Sequence, residues 1–293
     1  MHQRSAAVLG VRRLYRFLPL AGALEKLTLL FRDGKMRASH PRYFNDPYDC
    51  RPFFDPECLE PEGALDGFQR LMQKSLVGNH EALAALEADI LNLRDSKQAR
   101  VDAVQSLSRA ALKQIREVHR VICLCDHLSP LLWAHYASGH SGVCLEFDAT
   151  QEPFRNAVRV EYEQDYPTPD FANGNVDQLA RIGLLTKAAW WEYEKEFRLI
   201  TAEMDGSYAR STDGYFPVTK TATIAVILGQ ACPGADPEAG EAIRQLLEQH
   251  APSVHLRMAS RNIRSFSLDY RRIHVDVPLA KQIKGYPSKP ATT

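Results

Sequence analysis

Residues 119–148 read HRVICLCDHLSPLLWAHYASGHSGVCLEFD, and this stretch decides the fold. Its two ends, HRVICLC and SGVCLEFD, are short apolar segments with the alternation that is typical of buried strands. The intervening LLWAHYASGH predicts a short helix. Further segments of the strand type follow in VRVEYE (158–163), EFRLITA (196–202) and TATIAVILG (221–229). The pattern predicts an α+β fold whose mixed, largely antiparallel sheet, continuous or split, is flanked by helices.

The chain on either side of this stretch adds two strands and three helices. RLYRFL (13–18) alternates like a strand, and KMRAS (35–39) is extended again. Between them, residues 19–34 have helical spacing and end at a glycine, as helices often do. The segments 175–194 and 237–250 are also predicted as helices, the second because a proline and acidic residues begin it and a histidine ends it.

Residues 61–118 are polar with amphipathic spacing, which predicts a helical insert in the α+β fold. Asn79 and Ser96 are the expected breaks within it, because such residues favour helix starts. One domain is therefore predicted over 1–280, and a flexible tail over 281–293. A dinucleotide or phosphate loop is not expected, since no glycine-rich motif follows the first strand.

The composition describes an ordinary globular protein. The chain has 293 residues, a formal net charge of +0, 45% hydrophobic residues and 25% charged residues. These values exclude a disordered chain, a collagen-like fibre and a coiled coil. No apolar run reaches the roughly 18 residues of a membrane helix, so no membrane partner is expected. A neutral charge also argues against a dedicated nucleic-acid coat protein.

The six cysteines are interpreted as core thiols. The start, MHQRSAAVLGVRRLYRF, lacks a clean signal peptide, so a cytoplasmic location is predicted. One segment invites a zinc interpretation through Cys123, Cys125, His127, His135, His140 and Cys144. Structural zinc sites usually pair their ligands across about two to four residues, and this spacing fits poorly. We therefore expect core cysteines, with Val121, Cys123 and Cys125 on one buried face, and no metal.

Two candidate binding patches lie near the start of the chain. Tyr15 and Arg16 fall on the first strand, where a guanidinium is costly unless an anion or a carboxylate meets it or it reaches the sheet edge. The second patch is the turn-rich segment after the second strand. Asn45 and Asp46 there stabilise a turn, and with Ser39 they can also present hydrogen-bonding groups at the rim of a pocket.

A third patch combines aromatic rings and histidines on the predicted short helix. Trp133, Tyr136 and His140 either pack in the core or form a stacking surface for a ligand. The sequence leaves both interpretations open.

The fourth patch, KAAWWEYEKEFRLI (187–200), combines the most charged and aromatic side chains. If the chain is extended from Glu194 onward, then Glu194, Glu196 and Arg198 share one face of a strand. Such a row is either a solvated ion-paired face or a site that stabilises a cationic, sugar-like transition state. Lys187 and Trp191 precede the row, and the tryptophan can form a wall for a base or a nicotinamide ring.

Five blocks of the chain resemble the bacterial family catalogued as domain of unknown function 2971. In order they are LYRF, KMRASHPRYFNDPYD, LLWAHYASGHSGVCLEFD, TKAAWWEYEKEFRLI and IAVILG. In this interpretation the region similar to the family runs from about residue 13 to about residue 270. The resemblance supplies boundaries, and it implies no activity.

A looser resemblance, in the order of motifs, is to the ADP-ribosyltransferase superfamily. It implies an ADP-ribosyltransferase-like fold in which Arg16 holds the NAD ribose or phosphates and Ser39 steadies the nicotinamide side. Glu196 would orient the ribose and stabilise the oxocarbenium ion, and Glu194 would activate the acceptor. NAD is then the nucleotide substrate, and the acceptor is a protein, a nucleic acid or water.

Three function classes follow from these observations. The first is an NAD-consuming transferase or glycohydrolase, which needs no metal because one carboxylate can stabilise the cationic ribose. The second is a non-catalytic module that senses a nucleotide or binds a partner. The third is a nucleic-acid-acting enzyme. Its support is a basic cluster near the end of the chain, formed by Arg257, Arg261, Arg264, Arg271, Arg272 and His274.

Overall fold

The structure, a computed structural model, describes residues 4–173, 176–202 and 214–284. Contacts divide the chain into two compact units. The sheet unit comprises residues 2–39, 120–159 and 193–293, and the helical unit comprises residues 40–119 and 160–192 together with residue 1. The predicted flexible tail lies outside the described residues from position 285 onward.

The elements of the chain are twelve strands and nine α-helices within the described residues. The strands are β1 (Arg13–Leu18), β2 (Lys35–Arg37), β3 (His119–Cys125), β4 (Val143–Asp148), β5 (Val158–Arg159), β6 (Glu161–Glu163), β7 (Thr186–Ala188), β8 (Glu196–Ala202), β9 (Tyr215–Pro217), β10 (Thr223–Leu228), β11 (His255–Arg261) and β12 (Leu268–Ile273). The helices are α1 (Ala23–Phe31), α2 (Ala64–Ser75), α3 (His80–Asp95), α4 (Lys97–Glu117), α5 (Pro130–Tyr136), α6 (Val176–Leu184), α7 (Cys232–Ala235), α8 (Pro237–His250) and α9 (Leu279–Gln282).

Eight strands of the sheet unit form one sheet in the order β12-β11-β10-β4-β1-β3-β8-β5. Neighbours β1 and β4, β4 and β10, β11 and β12, and β5 and β8 pair antiparallel. β10 and β11 pair in parallel, and α8 lies in the connection between them, as a parallel pair requires. The predicted α+β fold with a mixed, largely antiparallel sheet is confirmed. The pair β2–β9 forms a second, smaller sheet.

One face of the large sheet packs against α1 and α8, and we call it the helix face. Alternate residues of the strands, such as Leu14 and Leu18 of β1, join buried residues of α1 and α8 in a single core. Leu145 of β4 and Leu199 of β8 belong to the same core. Because side chains alternate along a strand, the residues between these point to the opposite face.

The opposite face carries α5, and we call it the α5 face. Trp133 and Ala137 pack there with Cys144 of β4 and Ile227 of β10. Ser129 begins α5 by accepting a hydrogen bond from the backbone N–H of Leu131 at 3.2 Å.

The helical unit contains α2, α3, α4 and α6 and the parallel strand pair β6–β7. As the sequence predicted, the segment 61–118 breaks at Asn79 and Ser96, whose side chains cap the starts of α3 and α4. A core of its own holds these helices together, and Phe68 and Phe171 meet edge to face in it at 5.5 Å between ring centroids. Among the described residues no helix is both long and apolar enough to cross a membrane.

Three details of the predicted elements are wrong. The helix expected over 175–194 ends at Leu184, because the chain then pairs with β6 as strand β7. VRVEYE forms two short strands in different sheets. Cys123 is exposed, although its neighbours Val121 and Cys125 on the same side of β3 are buried.

The turn after α5 leaves no room for a side chain at Gly142. A Cβ atom there would lie 2.2 Å from the carbonyl oxygen of Leu18 and 2.9 Å from the Cα atom of Ala137. We expect Gly142→Ala to lower the free energy of unfolding by about 1–3 kcal/mol, because backbone atoms must shift to relieve the overlap. Gly234→Ala is the matched control, since a Cβ atom there meets nothing within 4 Å. Urea unfolding of both variants measures the difference, and equal stabilities would contradict the structure.

Candidate functional site

The carboxylates Glu194 and Glu196 stand at the entry to β8. Glu194 ends a short 3-10 helix over 189–194, and β8 begins at Glu196. Between them Lys195 takes the left-handed conformation with φ 45°, which is uncommon for a residue with a side chain. The chain is therefore extended from Glu196 onward and not from Glu194, so the condition for one strand face shared by all three charged residues is not met. Both carboxylates are nevertheless buried, at 4% and 3% exposure.

Glu196 is held by Arg198, two residues further along β8. The guanidinium donates from Nε to Glu196 Oε1 at 2.7 Å and from a terminal nitrogen to Oε2 at 3.0 Å. Arg198 is completely buried. Two parallel charge-assisted bonds of this kind fix both the position and the orientation of a carboxylate. The row of charges is therefore a buried ion pair and does not form a solvated face.

Glu194 is bound by the phenol of Tyr136, which lies at the end of α5. The hydroxyl donates to Glu194 Oε1 at 2.5 Å. Both carboxylates also act on the buried thiol of Cys125 in β3, whose pKa is raised above its usual range mainly by desolvation. These five residues of the α5 face, Tyr136, Cys125, Glu194, Glu196 and Arg198, are called the carboxylate cluster below.

Aromatic side chains border the carboxylate cluster. The rings of His135 and Tyr193 lie 6.2 Å apart, next to Tyr136 and Glu194 in the chain. His135 is exposed and Tyr193 is half-buried.

Arg16 does not join this cluster, because it lies on the helix face. It shares one side of β1 with the core residues Leu14 and Leu18. Glu196 lies on the side of β8 opposite Phe197 and Leu199, which belong to the same core. Burial lowers the pKa of Arg16, and the pKa of Lys26 on α1 is lowered by burial first and by this guanidinium second. The predicted convergence of Arg16 with Glu196 is therefore contradicted by the alternation of the strands.

Ser39 lies on the side of β3 that faces the carboxylate cluster. Its backbone N–H and carbonyl pair with Val121 of β3 at 2.9 and 2.8 Å, so the two side chains share a side of the sheet. The Ser39 side chain is exposed. Of the three residues assigned by motif order, Ser39 and Glu196 are on the same face and Arg16 is not.

Trp133 does not provide the stacking surface considered for it. Its side chain is completely buried and meets Phe17 edge to face at 5.1 Å. Its indole N–H donates to the Tyr270 hydroxyl at 3.3 Å. The ring of His140 stacks on it at 6.5 Å with an angle of 9° between the planes. Trp133 is thus a core residue, and His140, which is half-buried, covers it.

A third buried carboxylate on the α5 face was missed by sequence reasoning. Glu146 of β4 is 5% exposed and lies in ion pairs with Arg13 at 3.2 Å and with Arg257 at 2.6 Å. It is the strand partner of Tyr15, whose pKa is raised to about 12 by burial first and by this carboxylate second. Arg257 is therefore an internal ion-pair partner, which removes it from the basic cluster predicted near the end of the chain.

The other predicted site residues belong to the helical unit. Lys187 is 7% exposed, with its ammonium 4.8 Å from the centre of the Trp191 ring and 3.9 Å from Asp49 Oδ2. The indole face of Trp191 is thus covered by a cation in this structure. In the loop at 41–51, Asp46 is buried and Asn45 is exposed. Asp49 was not predicted, although it stands in the same NDPYD block.

No group of three or more potential metal ligands occurs among the residues that the structure describes. In the segment considered for zinc, Cys125 instead donates its S–H to backbone carbonyls, and Cys144 packs in the core of the α5 face.

Comparisons with known proteins are sparse. A search of curated proteins gave no match, and a search of solved structures gave none either. The blocks LYRF, KMRASHPRYFNDPYD and IAVILG lie outside the stretch that a family model matches. Over residues 132–199 the chain matches the model of the family described as "Protein of unknown function (DUF2971)".

Proposed function

We propose that this protein cleaves the N-glycosidic bond of NAD, with an ADP-ribosyltransferase-like arrangement of carboxylates and transfer of ADP-ribose to an acceptor or to water. The observation that carries the proposal is the pair Glu194 and Glu196, buried together on the α5 face beside Tyr136 and Arg198. Burial of two carboxylates is costly, and active sites are a common reason for keeping such groups.

The proposed chemistry assigns different tasks to the two carboxylates. The C1′–N bond of the ribosyl group breaks, its electron pair leaves with nicotinamide, and positive charge develops on C1′. Glu194 stabilises that charge, and the Tyr136 hydroxyl holds its carboxylate in place. The acceptor hydroxyl or water then bonds to C1′ and its proton passes to Glu194. Arg198 holds Glu196 through both carboxylate oxygens. The task of Glu196 is therefore structural: it fixes the start of β8, next to Glu194.

This assignment changes the roles expected from the order of motifs. Arg16 is left out, because it lies on the helix face. Glu194 replaces Glu196 as the group that meets the cationic ribose, since both oxygens of Glu196 are bonded to Arg198.

The test is release of nicotinamide from NAD by the full chain. We expect Glu194→Gln to lower the rate by about 10²- to 10³-fold, the usual cost of removing one electrostatic stabiliser of a transition state. Glu192→Gln is the matched control, since this glutamate is exposed and lies two residues away. Absence of release by the unaltered chain with a protein lysate, RNA and DNA as acceptors overturns the proposal. Equal rates for the two variants would remove Glu194 from the mechanism.

A second candidate function is a nucleotide-binding module without catalysis. The bidentate bond between Arg198 and Glu196 favours the absence of catalysis by Glu196, because a carboxylate with both oxygens engaged is well suited to a structural role. This alternative predicts that NAD raises the melting temperature of the chain and that no nicotinamide is released. Tyr136→Phe should then reduce the thermal shift. The nucleic-acid alternative gains no support from Arg257, which pairs with Glu146.

A further inference from the structure

The strand β12 forms one edge of the large sheet. It pairs with β11 on one side, and no strand within the described residues pairs with it on the other. Six consecutive residue pairs join it to β11 without a bulge, and its sequence LDYRRI contains no proline or glycine. The opposite edge, β5, has only two residues. Proteins often shorten, bulge or interrupt an exposed edge, because an open strand can pair with another chain. β12 has none of these features, so its charged side chains decide which strand it accepts.

The pairing with β11 determines which backbone groups of β12 point outward. Just beyond the two strands, the N–H of Asn262 donates to the carbonyl of Ser267 at 3.0 Å, in the register of β11 and β12. Along an antiparallel pair, residues that exchange hydrogen bonds alternate with residues that do not. The backbone of Asp269 and of Arg271 therefore bonds to β11. The N–H and C=O groups directed to the free edge are those of Leu268, Tyr270 and Arg272.

Two side chains of opposite charge lie on one side of this edge. Asp269 and Arg271 are both exposed, and they share the side of β12 that Ile273 directs into the core of the helix face. The Asn262 side chain donates to both oxygens of Asp269 at 3.1 and 3.2 Å, and Arg271 donates to the carbonyl of Gln282 at 3.1 Å. A carboxylate oxygen accepts more than one hydrogen bond and a guanidinium carries several donors, so both groups keep capacity for a further partner.

A second copy of β12 fits this edge in one register, with the two strands antiparallel about a two-fold axis at Tyr270. The outward backbone groups of the two strands then meet, and Asp269 of each copy lies directly opposite Arg271 of the other. Moving the axis by one residue places Asp269 opposite Asp269, or Arg271 opposite Arg271. Unlike charges that lie opposite each other stabilise a strand pair, and like charges destabilise it. Charge complementarity therefore selects both the occupant and its register.

We propose that β12 pairs with β12 of a second copy of this chain, so that two large sheets join edge to edge. In the register about Tyr270, the outward groups form about six backbone hydrogen bonds between the copies. Leu268 of each copy lies opposite Arg272 of the other, whose apolar stem can cover it. One strand pair is a small protein interface, so we expect a dimer in equilibrium with monomer. This inference is independent of the proposed NAD chemistry, since it concerns only the edge of the sheet.

The experiment is sedimentation equilibrium of the full chain at about 1 to 100 μM, where we expect a monomer–dimer equilibrium with a micromolar Kd. Asp269→Arg and Arg271→Asp should each weaken the dimer at least about tenfold, because two attractive pairs become two repulsive pairs. The double variant Asp269→Arg with Arg271→Asp restores opposite charges across the edge and should dimerise like the unaltered chain. Lys220→Asp is the matched control, since Lys220 is exposed and lies outside the β11–β12 hairpin.

A second pair of variants tests the backbone pairing. Arg272→Pro removes one outward N–H, and proline is tolerated in an edge strand where the N–H faces solvent. Arg272→Gln removes the same charge and keeps the N–H, so it is the matched control. We expect the proline variant to be monomeric and the glutamine variant to dimerise.

Melting temperatures identify any variant that fails to fold, and Arg271→Asp leaves the contact between Asn262 and Asp269 intact. An unaltered chain that is monomeric at about 100 μM overturns the proposal. A dimer that both single charge reversals leave unchanged, or that a folded double variant fails to restore, overturns it as well, because its interface would then not be the predicted strand pair.

Discussion

Replacing Arg198 with alanine is expected to lower the free energy of unfolding by about 3–5 kcal/mol, the usual cost of breaking a buried ion pair from one side. The substitution removes both guanidinium bonds from the Glu196 carboxylate, at 2.7 and 3.0 Å, and it leaves a void around a side chain that is completely buried. Water cannot easily replace those donors, because Glu196 is itself 3% exposed. Urea unfolding, followed by circular dichroism, measures the loss.

The matched control is Arg32→Ala. Arg32 also forms a bidentate pair, with Asp33 at 2.8 and 3.0 Å, but its side chain is 60% exposed. Exposed pairs contribute about 0–1 kcal/mol, because water solvates the separated charges well. Similar losses for Arg32→Ala and Arg198→Ala would show that the burial of Arg198 has no energetic consequence.

A double variant separates the ion pair from simple packing. Glu196→Leu with Arg198→Met replaces both charges by apolar groups of similar length. Such replacements of buried ion pairs are often neutral, since no charge is left to desolvate. We therefore expect the double variant to be more stable than Arg198→Ala alone. If it is less stable by the sum of the two single losses, the pair acts as two independent residues.

The strands and capped helices of the fold were predictable because their signals are local. Alternation in HRVICLC and SGVCLEFD marks β3 and β4, and the proline and acidic start of α8 marks that helix to the residue. The end of α6 at Leu184 was not predictable in the same way. Lys187 has a good helix propensity, yet the chain around it is extended because β6 supplies a pairing partner from about 25 residues earlier.

The candidate site was predictable in its residue types and less so in its geometry. The sequence singled out Glu194, Glu196 and Arg198, and the structure buries all three. Arg16 was assigned to the same site from the order of motifs alone. Only the core contacts of Leu14 and Phe197 reveal that Arg16 and Glu196 alternate onto opposite faces of one sheet.

Residues that act through partners far away in the chain were missed. The Glu146 carboxylate in β4 meets Arg257, 111 positions later, and no local pattern connects them. Arg116 likewise has the pattern of one more charged residue on an amphipathic helix. In the structure it lines a small cavity of the helical unit together with Asp46. Sequence patterns identify which residue types are unusual, and tertiary contacts decide which of them meet.

Trp133→Ala is expected to lower the free energy of unfolding by about 3–5 kcal/mol, the range measured for removing a large aromatic side chain from a core. Trp133 is completely buried, packs edge-on against Phe17 at 5.1 Å and donates to the hydroxyl of Tyr270. Its removal leaves a cavity under α5 and takes the donor from a half-buried phenol. The loss is measured by urea unfolding monitored by circular dichroism.

Trp190→Ala is the control of the same chemistry, because its side chain is 83% exposed and its removal should change stability by less than about 0.5 kcal/mol. Trp133→Phe keeps most of the apolar volume and loses only the N–H donor and part of the ring, so it should fall between the two. If Trp133 instead formed an open stacking surface for a ligand, its alanine variant would fold as well as Trp190→Ala and would lose only ligand binding. Comparison of the three variants therefore decides between a core residue and a binding surface, and the burial of the indole predicts the former.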